Sequence, residues 1–196
     1  MAAHLPPVQL RFELSTLVRA SVASLFSNLV TRPTGQAIRL GIEAQILELG
    51  QSCLSVLDFS EVVVLDFSCA DEAVAKLVRR YQLDPAAKEV YFLARGLGAV
   101  HRETLEAVLL RHGLALPVQF DCHEVALLGG VSPAERASWS ALERAGSASP
   151  PELASSLAAP CQDVELCLRQ LQRRRLILEE PGNHRFRALS SLLRDC

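Results

Sequence analysis

The pentapeptide Val-Leu-Asp-Phe-Ser occurs twice within thirteen residues, at Val56–Ser60 and at Val64–Ser68. Each copy is an apolar, β-type run that ends on an aspartate and a serine. The surrounding stretches predict two strands, Cys53 to Phe59 and Val62 to Phe67. The second is nearly continuous and apolar, the mark of a central strand covered on both faces. A helical pattern follows it from Cys69 to Tyr81, with Val74, Leu77, Val78 and Tyr81 as the buried stripe. A strand that stops at Asp-x-Ser and launches a helix puts a carboxylate and a hydroxyl at a helix N-terminus. Such a place can cap, bind an anion or accept a phosphate. Ser68 is therefore the candidate phosphorylation site. The alternative role for Ser68 is an N-cap, with Asp71 three residues on in capping-box spacing.

The rest of the first 129 residues alternates strands with helices. Val8, Leu10, Phe12 and Leu14 alternate with polar neighbours and predict a strand. Ser15 to Val30 has apolar spacing that suits a helix, with a strand as the alternative. Thr31–Gly35 breaks the pattern, and Ile38, Ile42, Ile46, Leu47 and Leu49 mark an amphipathic helix ending at Gly50. A strand is expected over Val90–Ala94, a helix over His101–His112 with Leu105, Val108 and Leu109 inward, and late strands over Leu116–Phe120 and Val125–Leu128. This order predicts an α/β layer fold with a mixed sheet and packed helices.

The grammar changes after Gly129-Gly130, which sets the expected boundary between domains 1–129 and 130–196. Ser132-Pro133-x-Glu135 is a capping box that starts a helix to Ala145. Shorter helices are expected over Pro150–Leu157 and Asp163–Arg175. Leu176–Leu178 and Arg185–Arg187 then flank Glu179–His184, a turn-rich hairpin tip. Three helices followed by a hairpin resemble a winged helix-turn-helix. That resemblance implies a third helix and wing able to meet DNA, with Arg169, Gln170, Arg173, Arg174, Arg185 and Arg187 as candidate contacts. Residues 132–196 hold nine arginines and eight acidic residues, near neutrality. A basic footprint is absent, so protein contact or homodimerisation is the equal reading.

The Val64-Leu65-Asp66-Phe67-Ser68-Cys69 stretch resembles the STAS domains of anti-sigma factor antagonists. There a strand ends in Asp-Ser-Ser-Gly before a helix. Asp66 matches the family's aspartate and Ser68 its second serine, the residue phosphorylated in antagonists. Phe67 replaces the first serine and Cys69 the glycine. Thr31-Arg32-x-x-Gly35 and the helix to Leu49 look like a bacterial STAS-like subgroup, so the resemblance covers Thr31 to Leu128. It implies a non-enzymatic signalling protein whose partner, a kinase-like ATPase regulator, docks on Asp66, Ser68, Asp71 and Glu72. The runner-up is a DNA-binding transcriptional regulator with an N-terminal sensing domain. Asp71 and Glu72 lie close enough to oppose a phosphate on Ser68.

Composition narrows the classes. The chain has 196 residues, 49% of them hydrophobic, and a net charge of −2. A mean hydropathy of +0.20 fits a well-cored protein. The charge gives no pull toward nucleic acid or anionic membrane. No apolar run reaches the length of a membrane span, and no secretory signal is visible, so a cytoplasmic protein with reduced cysteines is expected. Only Lys76 and Lys88 are lysines, and the arginine bias points to a GC-rich bacterial genome. No cofactor, metal or catalytic set is expected. Asp58 and Asp66 read as strand-end residues bonded to backbone amides, and Arg95–Gly98 as a strand-to-helix turn rather than a phosphate cradle. Cys122-His123 is a thiol–imidazole pair whose members point to opposite strand faces. His101 and His112 read as exposed helix residues.

Overall fold

A computed structural model describes residues 8–14, 19–49, 52–84, 87–120 and 124–194. Six strands form one sheet in the order β1(Val8–Leu14), β2(Arg19–Leu29), β3(Cys53–Leu65), β4(Val90–Leu97), β5(Ala115–Phe120), β6(Val125–Gly129). The β2, β3, β4 and β5 strands run parallel, while β1 and β6 join antiparallel at the two edges. Three crossovers connect the parallel strands: α1(Arg32–Leu49), the chain of α2(Phe67–Ala70), a π-helical turn Asp71–Ala75 and α3(Lys76–Gln82), and α4(Ala99–Arg111). The chain is thus a mixed α/β fold with a mostly parallel sheet and packed helices.

Sequential strand order decides where the helices go. Right-handed crossovers that always step the same way put every crossover helix on one face. One large core accordingly joins Cys53, Leu57, Phe59, Phe92 and Ala94 to Ile38, Ile42, Ile46, Val74, Leu77, Val78, Leu105 and Val108. The opposite face is just as apolar, with Val22, Leu54, Val56, Tyr91 and Leu93, and needs its own cover. Leu178, Leu189 and Leu192 from the end of the chain supply it.

Those leucines belong to the carboxyl-terminal unit of α5(Pro133–Ala145), β7(Ser147–Ala148), α6(Pro150–Leu157), α7(Cys161–Arg173), β8(Ile177–Glu180), β9(Arg185–Ala188) and α8(Ser191–Arg194). Its strands form a second sheet, ordered β7-β9-β8. The expected capping box is present at Ser132 and Glu135, and a second one joins Ser149 and Glu152. Trp139, Leu142, Leu153, Leu168 and Phe186 fill this unit's core, which also takes in Ala115 and Leu127 from β5 and β6. The Arg175 guanidinium donates to the carbonyls of Lys88 and Ala87 at 2.7 and 3.0 Å. Arg136 donates to the carbonyls of Leu127 and, at 3.0 Å, Gly129, occupying the outer edge of β6.

Two sequence expectations need correction here. The Ser15–Val30 helix is a strand over Arg19–Leu29, with Ser15 to Val18 outside the described residues. Ser21, Val22, Ala23 and Leu25 are all buried, so both faces are covered and no two-residue alternation marks the strand. The two β-runs around the repeated pentapeptide are one thirteen-residue strand, β3. Its central, doubly covered part is the first run. Cys53 to Asp58 pair with β4, whereas Glu61 to Leu65 pair with β2 alone. Val63 and Val64, expected in the core, are 71% and 44% exposed.

Candidate functional site

Where β3 gives way to α2, Asp66 holds the extended conformation of an N-cap, and its Oδ1 accepts from the Cys69 amide at 2.6 Å. The same oxygen accepts the Ser68 hydroxyl at 2.9 Å. Its other oxygen accepts the Thr31 amide at 2.8 Å. The capping residue is therefore Asp66 and not Ser68, which sits inside the first turn. An aspartate is the better cap here because its two oxygens also reach the β2–α1 turn. Burial pushes the Asp66 carboxyl up, but the Thr31 and Cys69 amides and the Ser68 hydroxyl outweigh it and hold the group below its ordinary value. One side chain thus ties two strand-to-helix junctions together.

Close packing of α1 on α2 depends on Gly35. A methyl group there would lie 2.6 Å from the Cys69 carbonyl oxygen and 2.8 Å from Glu72 Cβ. Directly beyond, the π-helical turn carries Asp71 and Glu72, which are only 4% and 5% exposed. These two acids, expected on an exposed partner surface, are buried. Arg32 donates to Glu72 at 2.8 Å and to Asp71 at 3.4 Å. Lys76 bonds Glu72, and Arg39 lies 3.8 Å from it. His112 Nε2 is 2.6 Å from Asp71 Oδ1. Burial raises the Asp71 carboxyl, and the His112 ring with the nearby cations more than reverses this. Both acids are matched by cations within the fold, so neither is a free negative charge facing Ser68. The expected exposure of the histidines is corrected too: His101 is 6% exposed and bonds the Val63 carbonyl at 3.3 Å, while His112 is committed to Asp71. Sequence reading missed both because their partners are 38 and 41 residues away.

Ser68 is half-buried, and several large apolar residues near it in the chain are exposed. Phe67 is 39% exposed, with the Arg111 guanidinium 5.7 Å from its ring centre, and Val63 and Val64 project from the end of β3. Val30 and Val100, from the chain leaving β2 and the first turn of α4, are exposed as well. A pattern of consecutive valines signals a buried strand. The only sequence sign of exposure is the aspartate that ends the run, since the strand tip overhangs its neighbour β4.

Asp58 belongs to a separate cluster. Its Oδ1 accepts the Ser60 hydroxyl and amide at 2.6 and 3.0 Å, and its Oδ2 accepts Arg95 Nε at 3.0 Å. Asp58 and Asp66 share no ligand and form no acid–base pair. Gly96 has φ +67°, and a methyl group there would lie 2.7 Å from the Ser60 amide nitrogen. The strand β4 runs on to Leu97 and α4 starts after Gly98, so Arg95–Gly98 is a strand end clasped to Ser60.

The candidate DNA contacts are mostly committed within the chain. Arg169 donates to Glu179 at 2.7 Å and stacks 5.2 Å from the Phe186 ring centre. Arg174 donates to the Gly113 carbonyl at 3.2 Å. Arg185 bonds Glu152 at 3.0 Å and the Ser147 carbonyl at 3.1 Å, and Arg187 bonds Glu180 at 2.7 Å. Gln170 and Arg173 are exposed. Glu179 and Glu180, expected in the hairpin tip, are strand residues that hold Arg169 and Arg187.

Cys53, Cys69 and Cys167 are buried and free, and burial pushes the Cys69 thiol up to about 12. Cys122-His123 lies outside the described residues. Among the described residues no group of three or more His, Cys, Asp or Glu side chains can hold a metal ion, and no helix is long and apolar enough to cross a membrane. No model of a known protein family matches the chain, and no curated protein matches it.

Proposed function

We propose that the chain is a non-enzymatic bacterial regulatory protein of the cytoplasm that binds a protein partner at the β3–α2 junction. In this reading residues 1–129 are a STAS-like domain and residues 130–196 a winged helix used for output or assembly. The observation that carries it is the exposure of Val63, Val64 and Phe67 in the stretch of chain that runs into Ser68. An apolar patch at a strand tip costs solvation free energy that partner burial recovers. The partner is a kinase-like ATPase regulator, as the resemblance to anti-sigma antagonists implies.

Geometry also supports a mechanism for phosphorylation. A phosphate on Ser68 stands beside the Asp66 carboxylate that its hydroxyl now touches at 2.9 Å. Repulsion between the two then works against the bonds from Asp66 to Thr31 and Cys69, and loosens both junctions under the patch. Phosphorylation would weaken partner binding. The test is mass spectrometry of Ser68 after incubation with a kinase-like ATPase, together with the ATPase affinities of Ser68→Ala and Ser68→Asp. The expected result is weaker binding by Ser68→Asp. Equal affinities would remove Ser68 as the switch.

The alternative, a DNA-binding transcriptional regulator, draws less support because Arg169, Arg174, Arg185 and Arg187 are held by internal partners. A salt-dependent mobility shift with duplex DNA, lost on neutralising Arg169 and Arg173, would restore it.

A further inference from the structure

The outer face of α1 is apolar without a function in the single chain. Ala37, Leu40, Ala44 and Leu47 recur at intervals of three and four, opposite the buried Ile38, Ile42 and Ile46. Leu40 is 52% and Leu47 59% exposed, and both alanines are exposed. A stripe with that spacing is the seam on which a second helix packs.

Gly41 lies within this stretch. Glycine inside a helix is unfavourable relative to alanine. Gly35, on the same helix, is explained by its crowding against Cys69 and Glu72, but a methyl group at position 41 would meet nothing within 4 Å. The single chain gives no steric reason for a glycine there, whereas the close approach of another helix does.

We propose that α1 is a self-association surface, pairing antiparallel with α1 of a second copy about a two-fold axis level with Ile42. In that arrangement Ala37 of one copy faces Leu47 of the other, and Leu40 faces Ala44. Every large side chain meets a small one, twice over, which is the self-complementarity an isologous interface requires. Exposed Glu48 stands at the rim of the seam, level with Gln36 of the other copy. One helix pair is a small interface, so the dimer is reversible. The surface is separate from the Ser68 patch, and the pairing stands whether or not the proposed function does.

Sedimentation equilibrium of the full chain tests this. The expected mass rises with concentration from 21.4 kDa toward twice that value. Leu40→Glu and Leu47→Glu each weaken association by about tenfold or more, with circular dichroism showing the fold intact. Leu40→Ala and Ala44→Leu weaken it singly, by a gap and by a clash. The double variant Leu40→Ala/Ala44→Leu restores it, because the large and small side chains have then exchanged places across the axis and still face each other. A chain that stays at 21.4 kDa into the high micromolar range overturns the proposal, as does a dimer indifferent to both glutamates. A double variant no better than the singles overturns the antiparallel pairing.

Discussion

In Val56–Ser60 the valine, leucine and phenylalanine are all within 1% of full burial, while in Val64–Ser68 the valine and phenylalanine face solvent at 44% and 39%. The five residues are the same. The first copy has β2 and β4 on its flanks for three residues, helices on one face and the carboxyl-terminal unit on the other. The second has β2 alone, and its aspartate turns the chain into α2 instead of pairing across the sheet. Side-chain chemistry sets what each residue can do, and the neighbouring strand decides whether it is core or surface.

Phenylalanine provides the sharpest way to test that contrast. Phe59→Ala empties part of the main core and should cost about 3–5 kcal/mol, whereas Phe67→Ala should cost roughly 0.5 kcal/mol. Urea denaturation of both variants measures the difference, and comparable losses would mean that the tip of β3 is packed against something in solution. Next in size, Gly96→Ala forces a side chain into a left-handed backbone against Ser60, at an expected cost of about 1–3 kcal/mol. Its effect should fall on the first copy's cluster and leave Ser68 chemistry unchanged.

The aspartates come next. Asp66→Ala removes a cap and the Thr31 tie, for roughly 1–2 kcal/mol. Burial raises the Asp58 carboxyl, but Ser60 and Arg95 bring it below its ordinary value, as the amides do for Asp66. Depressed folded values mean that this stabilisation is complete above the unfolded aspartate value of about 3.9 and is lost as pH falls through the folded values. Urea midpoints followed from pH 5 downward should therefore drop, and the drop should be shallower in the Asp58→Asn/Asp66→Asn variant. Smallest is Ser68→Ala, expected at about 0.5 kcal/mol, since Asp66 keeps its two amide donors.

Local signals carried much of the architecture. Ser132-x-x-Glu135 was readable as a helix start because both of its bonds are three residues long, and the isoleucines of α1 and Leu105, Val108 and Leu109 of α4 face the core as their spacing predicts. Failures occurred where a distant neighbour decided the outcome. The β2 strand lost its alternation because the carboxyl-terminal unit buries its second face. His112 reads as a surface residue until Asp71, 41 positions back, is beside it. The overhang of β3 depends on where β4 stops pairing, which no window around Val63 contains. At the candidate site, Asp66 and Ser68 were legible as a strand-to-helix junction. Their division of labour was not, because Thr31 chose the longer-reaching carboxylate as the cap.

Arg136 has a bearing on the protein's behaviour in concentrated solution. Strands at the rim of a sheet are templates on which other chains can add and grow into fibres. With its guanidinium seated on the Leu127 and Gly129 carbonyls, Arg136 works as a stopper at that rim. Polymerisation by strand addition is thereby discouraged at β6, at the cost of one arginine rather than an extra layer of chain.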